Sequence, residues 1–155
     1  MRITRARRQR LLAIASGGGH WAQLCLLRPA FAGCDVRFAT TIKGLDEEFA
    51  AKPCTVIPDC NRNQPLMSAL AAFRIMLLLL RFRPHVVVTT GALPGLIAIA
   101  AARRLGARTV WIDSVANAEE LSMAGKHARK HAELWLTQWP HVAAQSGAAF
   151  EGALL

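Results

Sequence analysis

Three glycines and a histidine follow a short apolar run near the start of the chain. The stretch Ser16-Gly17-Gly18-Gly19-His20 comes directly after Leu11–Ala15. Glycines let the backbone approach a bound group closely, and a helix that begins behind them offers unpaired N–H donors to an anion. Histidine has an unperturbed pKa of about 6.5, so it can accept a proton near neutral pH. The pattern therefore predicts a site for a phosphate or hydroxyl group, with His20 as a general base rather than a helix cap.

Three later stretches also carry small, polar or basic residues, and the first two of them end or follow predicted strands. Thr89-Thr90-Gly91-Ala92 repeats the order of strand, turn and helix, and its glycine again exposes backbone N–H groups. Asp113 and Ser114 end a nearly continuous apolar strand, and Asp113 either faces the ligand or accepts hydrogen bonds from its own loop. The stretch Ser122–Lys130 is basic and typical of a loop, which makes it either a ligand contact or a solvated face.

Neither of the two common nucleotide-binding motifs is present. A G-x-G-x-x-G fingerprint needs a further glycine where Trp21-Ala22-Gln23 stands. The second predicted strand ends in Ala39-Thr40-Thr41, without the acidic residue that binds a ribose. Gly125-Lys126 is not part of a P-loop, since Glu120 replaces its first glycine and His127 its Ser or Thr. The glycine turn therefore remains a general cradle for a phosphate or a hydroxyl group, and no cofactor is expected.

Six strand candidates alternate with helical segments. Strands joined in this way form right-handed crossovers and a parallel sheet, whose ligands bind at the carboxyl ends of the strands. The stretches that follow predicted strands and so fall at that edge are Ser16–His20, Thr40-Thr41, Thr89-Thr90-Gly91 and Asp113-Ser114. The sequence predicts one α/β domain, a single Rossmann-like parallel sheet with helices on both faces, over residues 11–155 behind a basic arm at 1–10. The predicted strands are Leu11–Ala15, Asp35–Thr40, Cys54–Ile57, His85–Thr89, Thr109–Ile112 and Leu134–Thr137, and the predicted helices are Trp21–Phe31, Leu45–Ala51, Leu66–Phe82, Leu93–Leu105 and Lys126–His131.

The chain is strongly basic and suits an anionic partner. Its 155 residues carry 19 Lys and Arg against 10 Asp and Glu, a net charge of +9. Tyr is absent, and aromatic residues are not interleaved with basic ones, which argues against nucleic acid. The arginines of the arm at 1–10 are either a solvated tail or a polybasic segment for a cytoplasmic leaflet. The apolar run behind them is too short for an export signal.

The cysteines predict a reduced protein without a metal site. Cys25, Cys34, Cys54 and Cys60 form no C-x-x-C pair and no zinc-like spacing with the histidines. Unpaired thiols are typical of the cytosol, so we expect a cytosolic chain whose chemistry does not depend on cysteine.

One predicted helix is apolar nearly all round. Leu66–Leu80 has Ser68 and Arg74 as its polar residues, and at 1.5 Å per residue it is roughly 22 Å long, shorter than a hydrocarbon core of about 30 Å. An apolar face edged by arginines suits a helix lying in a membrane interface, and a helix fully buried between two layers is the alternative. We expect an interfacial helix at about 66–82, with Leu70, Phe73, Arg74, Leu77, Leu78 and Arg81 against the membrane.

Five motifs in a fixed order resemble those of one known family. They are SGGGH after the first strand, then VVVTTGALPG, VWIDS, SMAGK and LTQW, and they extend from Leu11 to Trp139. The set resembles the membrane-associated subunit of two-component GT-B glycosyltransferases. These enzymes act in bacterial exopolysaccharide synthesis and in the transfer of the second N-acetylglucosamine to dolichyl-pyrophosphate. The resemblance implies the N-terminal, acceptor-binding half of a GT-B enzyme, with a separate small subunit that binds the nucleotide sugar.

The resemblance also implies a reaction and a set of contacts. At the cytoplasmic face of the membrane, the peripheral heterodimer would transfer N-acetylglucosamine, a hexose or a uronic acid from a UDP-sugar to a polyprenyl-diphosphate-linked acceptor. His20 would deprotonate the acceptor hydroxyl or hydrogen-bond the diphosphate, and the stretch after Trp139 would dock on the donor-binding subunit. The implied substrate-binding residues are Ser16, Gly17, Gly18, Gly19, Thr90, Gly91, Ala92, Asp113, Ser114, Ser122, Gly125 and Lys126.

The chain departs from the family pattern at several positions. Asp113 stands where relatives usually have Glu, Val115-Ala116-Asn117 replaces an aromatic-Xaa-Arg stretch, and Met123 replaces a threonine. Many relatives begin with a transmembrane helix where this chain has an arginine arm, so we expect peripheral attachment. Two other function classes compete with the enzyme: a non-catalytic membrane adaptor that recruits a partner transferase, and a stand-alone dinucleotide-binding protein.

Overall fold

The computed structural model describes residues 8–155, so the first seven residues of the predicted basic arm lie outside the described part of the chain. The strands are β1 (Arg10–Ile14), β2 (Asp35–Thr40), β3 (Cys54–Val56), β4 (Val86–Thr89), β5 (Arg108–Ile112) and β6 (Leu134–Leu136). The helices are α1 (Gly19–Leu26), α2 (Leu45–Glu48), α3 (Pro65–Phe82), α4 (Ala92–Arg104), α5 (Met123–Ala128) and α6 (Pro140–Ser146), with a 3-10 helix at Arg28–Phe31.

The strands form one parallel sheet in the order β3-β2-β1-β4-β5-β6. β1 is apolar on both faces because it is central: Leu12 pairs with Arg37 of β2 on one side and with Val87 of β4 on the other. The predicted Rossmann-like sheet is confirmed. The strand order reverses at β1 and β4, and in open parallel sheets ligands bind beside the carboxyl ends of the strands at such a point.

Two apolar cores lie on opposite faces of the sheet, which confirms the prediction of helices on both. Alternate residues of β1 supply both cores, Leu12 and Ile14 to one and Leu11 and Ala13 to the other. The first core is covered by α3, α4 and α5, and the second by α1 and the 3-10 helix.

Several helix boundaries differ from the prediction for local reasons. The predicted helix Trp21–Phe31 ends as an α-helix at Leu26, before Pro29, which supplies no N–H to continue it. The expected loop Ser122–Lys130 is partly helical, since α5 begins at Met123 and the Ser122 side chain caps it by accepting a hydrogen bond from the Gly125 N–H. α6 was not predicted; Pro140 occupies its first turn, where the fixed proline φ suits a helix start.

The long helix α3 has one buried and one exposed face, so the alternative of a fully buried helix is wrong. Its inner face packs in the first core through Ala71, Ile75, Leu79 and Phe82. Leu78 belongs to this face as well, with 8% of its surface exposed, so its expected contact with a membrane is also wrong. The outer face is apolar and exposed at Leu66, Leu70, Phe73 and Leu80, and Arg74 and Arg81 are exposed along one flank.

In the described residues, α3 is the one helix long and apolar enough to cross a membrane by length and composition. Its inner face nevertheless packs against the sheet in the first core, so a spanning position would carry polar parts of the domain into the bilayer.

Candidate functional site

His20 and Thr90 join the loop after β1 to the loop after β4. The Thr90 hydroxyl donates to the backbone carbonyl of His20 at 2.6 Å, and Nδ1 of His20 lies 3.0 Å from the backbone carbonyl of Thr90. A carbonyl only accepts hydrogen bonds, so the proton of the neutral imidazole lies on Nδ1. The lone pair therefore lies on Nε2, and the half-buried ring presents a proton acceptor at the carboxyl edge of the sheet.

Gly91 allows this close approach of the two loops. A Cβ built on Gly91 would lie 2.7 Å from Cε1 and from Nδ1 of His20, closer than side chains tolerate. The glycine also has φ +134°, which disfavours any residue with a Cβ. Ala92 follows with φ +65°, a conformation that costs a non-glycine residue about 1–3 kcal/mol. Strain of this kind clusters at ligand-binding turns.

Two helices begin beside His20 without side-chain caps. Gly18 is the N-cap of α1 and Gly91 is that of α4, and neither helix has an acidic residue in its first turn. The first N–H groups of both helices lack intrahelical partners and carry partial positive charge. The arrangement can therefore accept a proton at Nε2 and bind an anion next to it.

The predicted residues around His20 are brought together by the fold. Ser16 and Gly17 are half-buried, whereas Gly18 and Gly19 are exposed at the start of α1. The Gly17 N–H donates to the Thr41 hydroxyl at 3.0 Å, so this amide holds the loop after β2 instead of facing a ligand.

Asp113 is a structural acceptor. Its carboxylate accepts hydrogen bonds from Nε1 of Trp111, Nδ2 of Asn117, and both the N–H and the hydroxyl of Ser122, at 2.6–3.1 Å. The residue is 1% exposed. Of the two roles left open by the sequence, the structure favours the internal one, because the oxygens are already saturated by the loop that they hold.

Gly125 and Ser114 belong to the same internal network, whereas Lys126 lies at the surface. A Cβ on Gly125 would lie 2.4 Å from Oδ1 of Asp113, so the glycine is needed for packing. Ser114 is buried and accepts a hydrogen bond from Nε2 of Gln23 at 2.9 Å. Lys126 is exposed and pairs with Glu120 at 2.6 Å, and this bond lowers the pKa of the Glu120 carboxyl. Ser122, Gly125 and Ser114 therefore support the loops, and the structure does not direct them towards His20.

The sequence reasoning missed two buried glutamines. Oε1 of Gln23 accepts from the Val115 N–H at 3.0 Å and from Nε2 of Gln138 at 2.7 Å. Oε1 of Gln138 accepts from the Leu154 N–H at 2.9 Å, which ties the end of the chain to α1. In the sequence, the polar Gln23 stands between the apolar Trp21 and Leu24. This position was the signal that could have indicated a buried polar side chain.

The stretch after Trp139 packs partly on its own domain. Ala149 forms a parallel bridge with Leu136 of β6, and Leu154 packs against the second core. Phe150 and Leu155 remain exposed.

Within residues 8–155, no group of three or more His, Cys, Asp or Glu side chains is arranged to hold a metal ion. All four cysteines are free. Burial raises the pKa of the Cys54 thiol to about 11, which keeps it protonated and unreactive at neutral pH.

Comparison with known proteins identifies the fold but not the family. No family model matches the sequence, and no curated protein is significantly similar to it. Among solved structures, MurG of Acinetobacter baumannii superposes with a TM-score of 0.70 at 17% identity, over 85% of this chain and 42% of MurG. A UDP-N-acetylglucosamine 2-epimerase gives 0.69 at 12% identity, over 90% and 44% of the two chains. A putative epimerase of the same kind from Listeria monocytogenes gives 0.68 at 12% identity, over 90% and 42%.

The chain therefore spans less than half the length of each of these proteins. Its fold is that of one Rossmann-like half of a GT-B protein, as in MurG and the epimerases.

Proposed function

We propose that this chain is the membrane-associated, acceptor-binding subunit of a split glycosyltransferase. With a separate donor-binding subunit, it transfers the sugar of a UDP-sugar to a polyprenyl-diphosphate-linked acceptor. The observation that carries the proposal is the His20 imidazole, whose Nε2 lone pair lies at the carboxyl edge of the sheet between two uncapped helix N-termini.

The reaction needs a base and an anion cradle, and this edge offers both. The acceptor hydroxyl oxygen attacks the anomeric carbon of the donor sugar, and the bond from that carbon to the leaving nucleoside diphosphate breaks. The hydroxyl proton passes to Nε2 of His20. The free N–H groups of α1 and α4 bind the acceptor diphosphate. A base in this position contributes about 10²–10⁴-fold to the rate.

We assign the second Rossmann-like half of the enzyme to a separate subunit. GT-B enzymes bind their two substrates between two Rossmann-like halves, and this chain holds one half without a dinucleotide fingerprint. The similar epimerases are named for UDP-N-acetylglucosamine, which supports a UDP-sugar as the donor class.

The exposed apolar face of α3 supports membrane association. Phe73 is 64% exposed and Leu66 85%, and Arg74 and Arg81 border the same face. A helix with an apolar face and basic flanks lies in the membrane interface, where its arginines meet anionic headgroups. Because α3 follows the carboxyl end of β3, its first turn lies at the edge that holds His20, so a lipid-linked acceptor reaches the base from the start of this helix.

The test is reconstitution of transfer activity. The tagged chain is purified from native membranes in mild detergent, its stoichiometric partner is identified by mass, and transfer from radiolabelled UDP-sugars to a short-chain polyprenyl-diphosphate saccharide is measured. We expect activity from the two-subunit complex and a loss of at least about 100-fold in the His20→Ala complex.

The matched control is His127→Ala, which removes an exposed histidine from α5. It should keep full activity, and both variants should still bind the partner. Full activity of the His20→Ala complex would exclude His20 as the base. Recruitment of a partner that is fully active by itself would favour a non-catalytic adaptor instead.

A further inference from the structure

A basic groove lies at the amino edge of the sheet, opposite the edge that holds His20. It has a volume of about 490 Å³ and lies between the last turns of α3 and α4. Its floor includes the buried side chains of Leu79 and Ala102, and the exposed Leu80 and Leu105 are at its rim. The groove therefore combines an apolar floor with an opening next to the outer face of α3, to which Leu80 also belongs.

Four basic side chains line this groove, and among the described residues no carboxylate does. They are Arg10, Arg83, His85 and Arg108. The backbone N–H of Arg10 donates to Nδ1 of His85 at 3.0 Å, so the neutral imidazole carries its proton on Nε2 and offers a donor there. Nε of Arg10 donates to the Arg83 carbonyl at 2.8 Å, which satisfies a carbonyl at the end of α3.

The guanidinium groups keep positive charge available to a ligand. Arg108 pairs through Nε with Glu133 at 3.0 Å, and its two terminal nitrogens are not part of that contact. Among residues 8–155, Arg10 and Arg83 take part in no ion pair. Each helix C-terminus contributes about half a negative charge, which the last-turn arginines of α3 and α4 offset.

We propose that this groove binds the phosphate headgroup of an anionic phospholipid. The phosphate oxygens accept hydrogen bonds from Arg83, Arg108 and Nε2–H of His85, and the first acyl carbons lie against Leu80 and Leu105. The inference rests on the membrane association proposed above and adds a specific lipid site to it. α3 has 18 residues and is about 27 Å long, so this site and the catalytic edge lie at opposite ends of the helix.

The test measures binding of the full-length chain to lipid vesicles by co-sedimentation. Vesicles of phosphatidylcholine are compared with vesicles that contain 30 mol% phosphatidylglycerol. Each basic residue near an anionic surface strengthens binding about 5-fold. We therefore expect Arg83→Gln/Arg108→Gln to weaken binding to the anionic vesicles about 25-fold and to leave binding to neutral vesicles unchanged.

The matched control is Lys43→Gln/Lys130→Gln, which removes the same charge from exposed residues outside the groove. We expect a loss of less than about 3-fold. An equal loss in both double variants would overturn the proposal, because a diffuse basic surface would then explain the binding. Leu105→Glu, at the exposed rim, is a second variant that leaves the arginines in place, and it should reproduce the loss of the groove variant.

Titration with a soluble lipid tests binding in the groove independently of the binding of the chain to a membrane. Monomeric dihexanoyl-phosphatidylglycerol is titrated while the NMR resonances of Arg83 and His85 are followed. Saturable shifts that 10 mM inorganic phosphate does not reverse support the lipid site, even if the chain binds no vesicles and the membrane proposal fails. Shifts that phosphate alone reproduces identify a free-phosphate site and overturn the lipid assignment. Vesicle binding without shifts at these residues overturns the groove while the membrane proposal stands.

Discussion

Thr90 and His20 exchange hydrogen bonds in both directions between the loops that follow β1 and β4. One bond is from the Thr90 hydroxyl to the His20 carbonyl, at 2.6 Å, and the other is between Nδ1 of His20 and the Thr90 carbonyl, at 3.0 Å. Each residue thereby orients the other's loop. The proposed base and the N–H donors at the start of α4 are held as one unit, so loss of either bond should disturb both.

Thr90→Val tests this coupling. Valine keeps the shape of threonine but removes the hydroxyl donor, so the His20 carbonyl loses a buried partner at a cost of about 1–3 kcal/mol in the free energy of unfolding. We expect transfer by the two-subunit complex to fall and Thr90→Ser, which keeps the hydroxyl, to remain close to wild type. Equal activity of the valine and serine variants would show that this bond does not position the base.

Gly91→Ala should displace the His20 ring. The new Cβ would lie 2.7 Å from two ring atoms, at a backbone φ of +134° that disfavours alanine. We expect the free energy of unfolding to fall by at least about 2 kcal/mol, measured by urea denaturation. Gly19→Ala is the matched control, since nothing lies within 4 Å of a Cβ built on Gly19 and its φ is not positive. It should be neutral or stabilising by up to about 1 kcal/mol.

Asp113→Asn should destabilise the domain without any ligand present. Asparagine replaces one acceptor oxygen with an NH₂ group, which faces donors such as Nε1 of Trp111 or the N–H of Ser122. We expect a loss of about 2–4 kcal/mol in the free energy of unfolding. Ser122→Ala, which removes one donor and the cap of α5, should cost less, about 1–2 kcal/mol. An unchanged urea midpoint for Asp113→Asn would contradict the structural role.

The two faces of α3 should respond differently to truncation. Ile75 is fully buried, so Ile75→Ala should cost about 2–5 kcal/mol in the free energy of unfolding. Phe73 is 64% exposed, so Phe73→Ala should change stability by less than about 0.5 kcal/mol but weaken binding to lipid vesicles. Thermal unfolding of the two variants measures the change in stability, and co-sedimentation with vesicles measures the change in lipid binding. Vesicle binding of Phe73→Ala at the wild-type level would argue against this face as the membrane contact.

The Cys54 thiol should react slowly with alkylating reagents in the folded chain. Its pKa is raised from 9.0 to about 11, first by burial and then by the neighbouring Asp46. At pH 8 this lowers the thiolate fraction about 100-fold relative to the unfolded chain. Because the folded state retains the proton, Cys54 also makes the free energy of unfolding fall as pH rises from 9 towards 11. Mass spectrometry after iodoacetamide treatment, with and without urea, measures the difference, and equal rates in the two states would refute the shift.

The sheet could be predicted because its signals are local. Val86-Val87-Val88 and Leu11–Ala15 are short, apolar and bounded by glycine or polar residues, which is typical of buried parallel strands. Apolar periodicity does not indicate α6 or the start of α5, because these helices begin at Pro140 in the first turn of α6 and at the Ser122 cap of α5.

The site was predictable in part. His20 and Thr90-Gly91 follow adjacent strands, so the parallel topology alone brings them together. Asp113 also follows a strand at this edge, but its carboxylate faces inward, towards donors on a loop nine residues later along the chain. Side-chain direction within a loop depends on such tertiary hydrogen bonds. A position at the end of a strand therefore does not tell whether a side chain faces inward, as that of Asp113 does, or faces the edge of the sheet, as that of His20 does.

The two faces of α3 are subject to different selection. Inner positions such as Ala71 and Ile75 must match the shape of the sheet beneath them, so natural variants should preserve both their volume and their branching. Outer positions such as Leu70 and Phe73 meet no fixed partner in the domain, so Leu, Ile, Met and Phe should replace one another there freely. Charged residues should be rare at these outer positions only in lineages in which this face contacts an apolar phase. The residue types that natural variants accept at the outer positions of α3 therefore indicate whether this face lies against water or against an apolar phase.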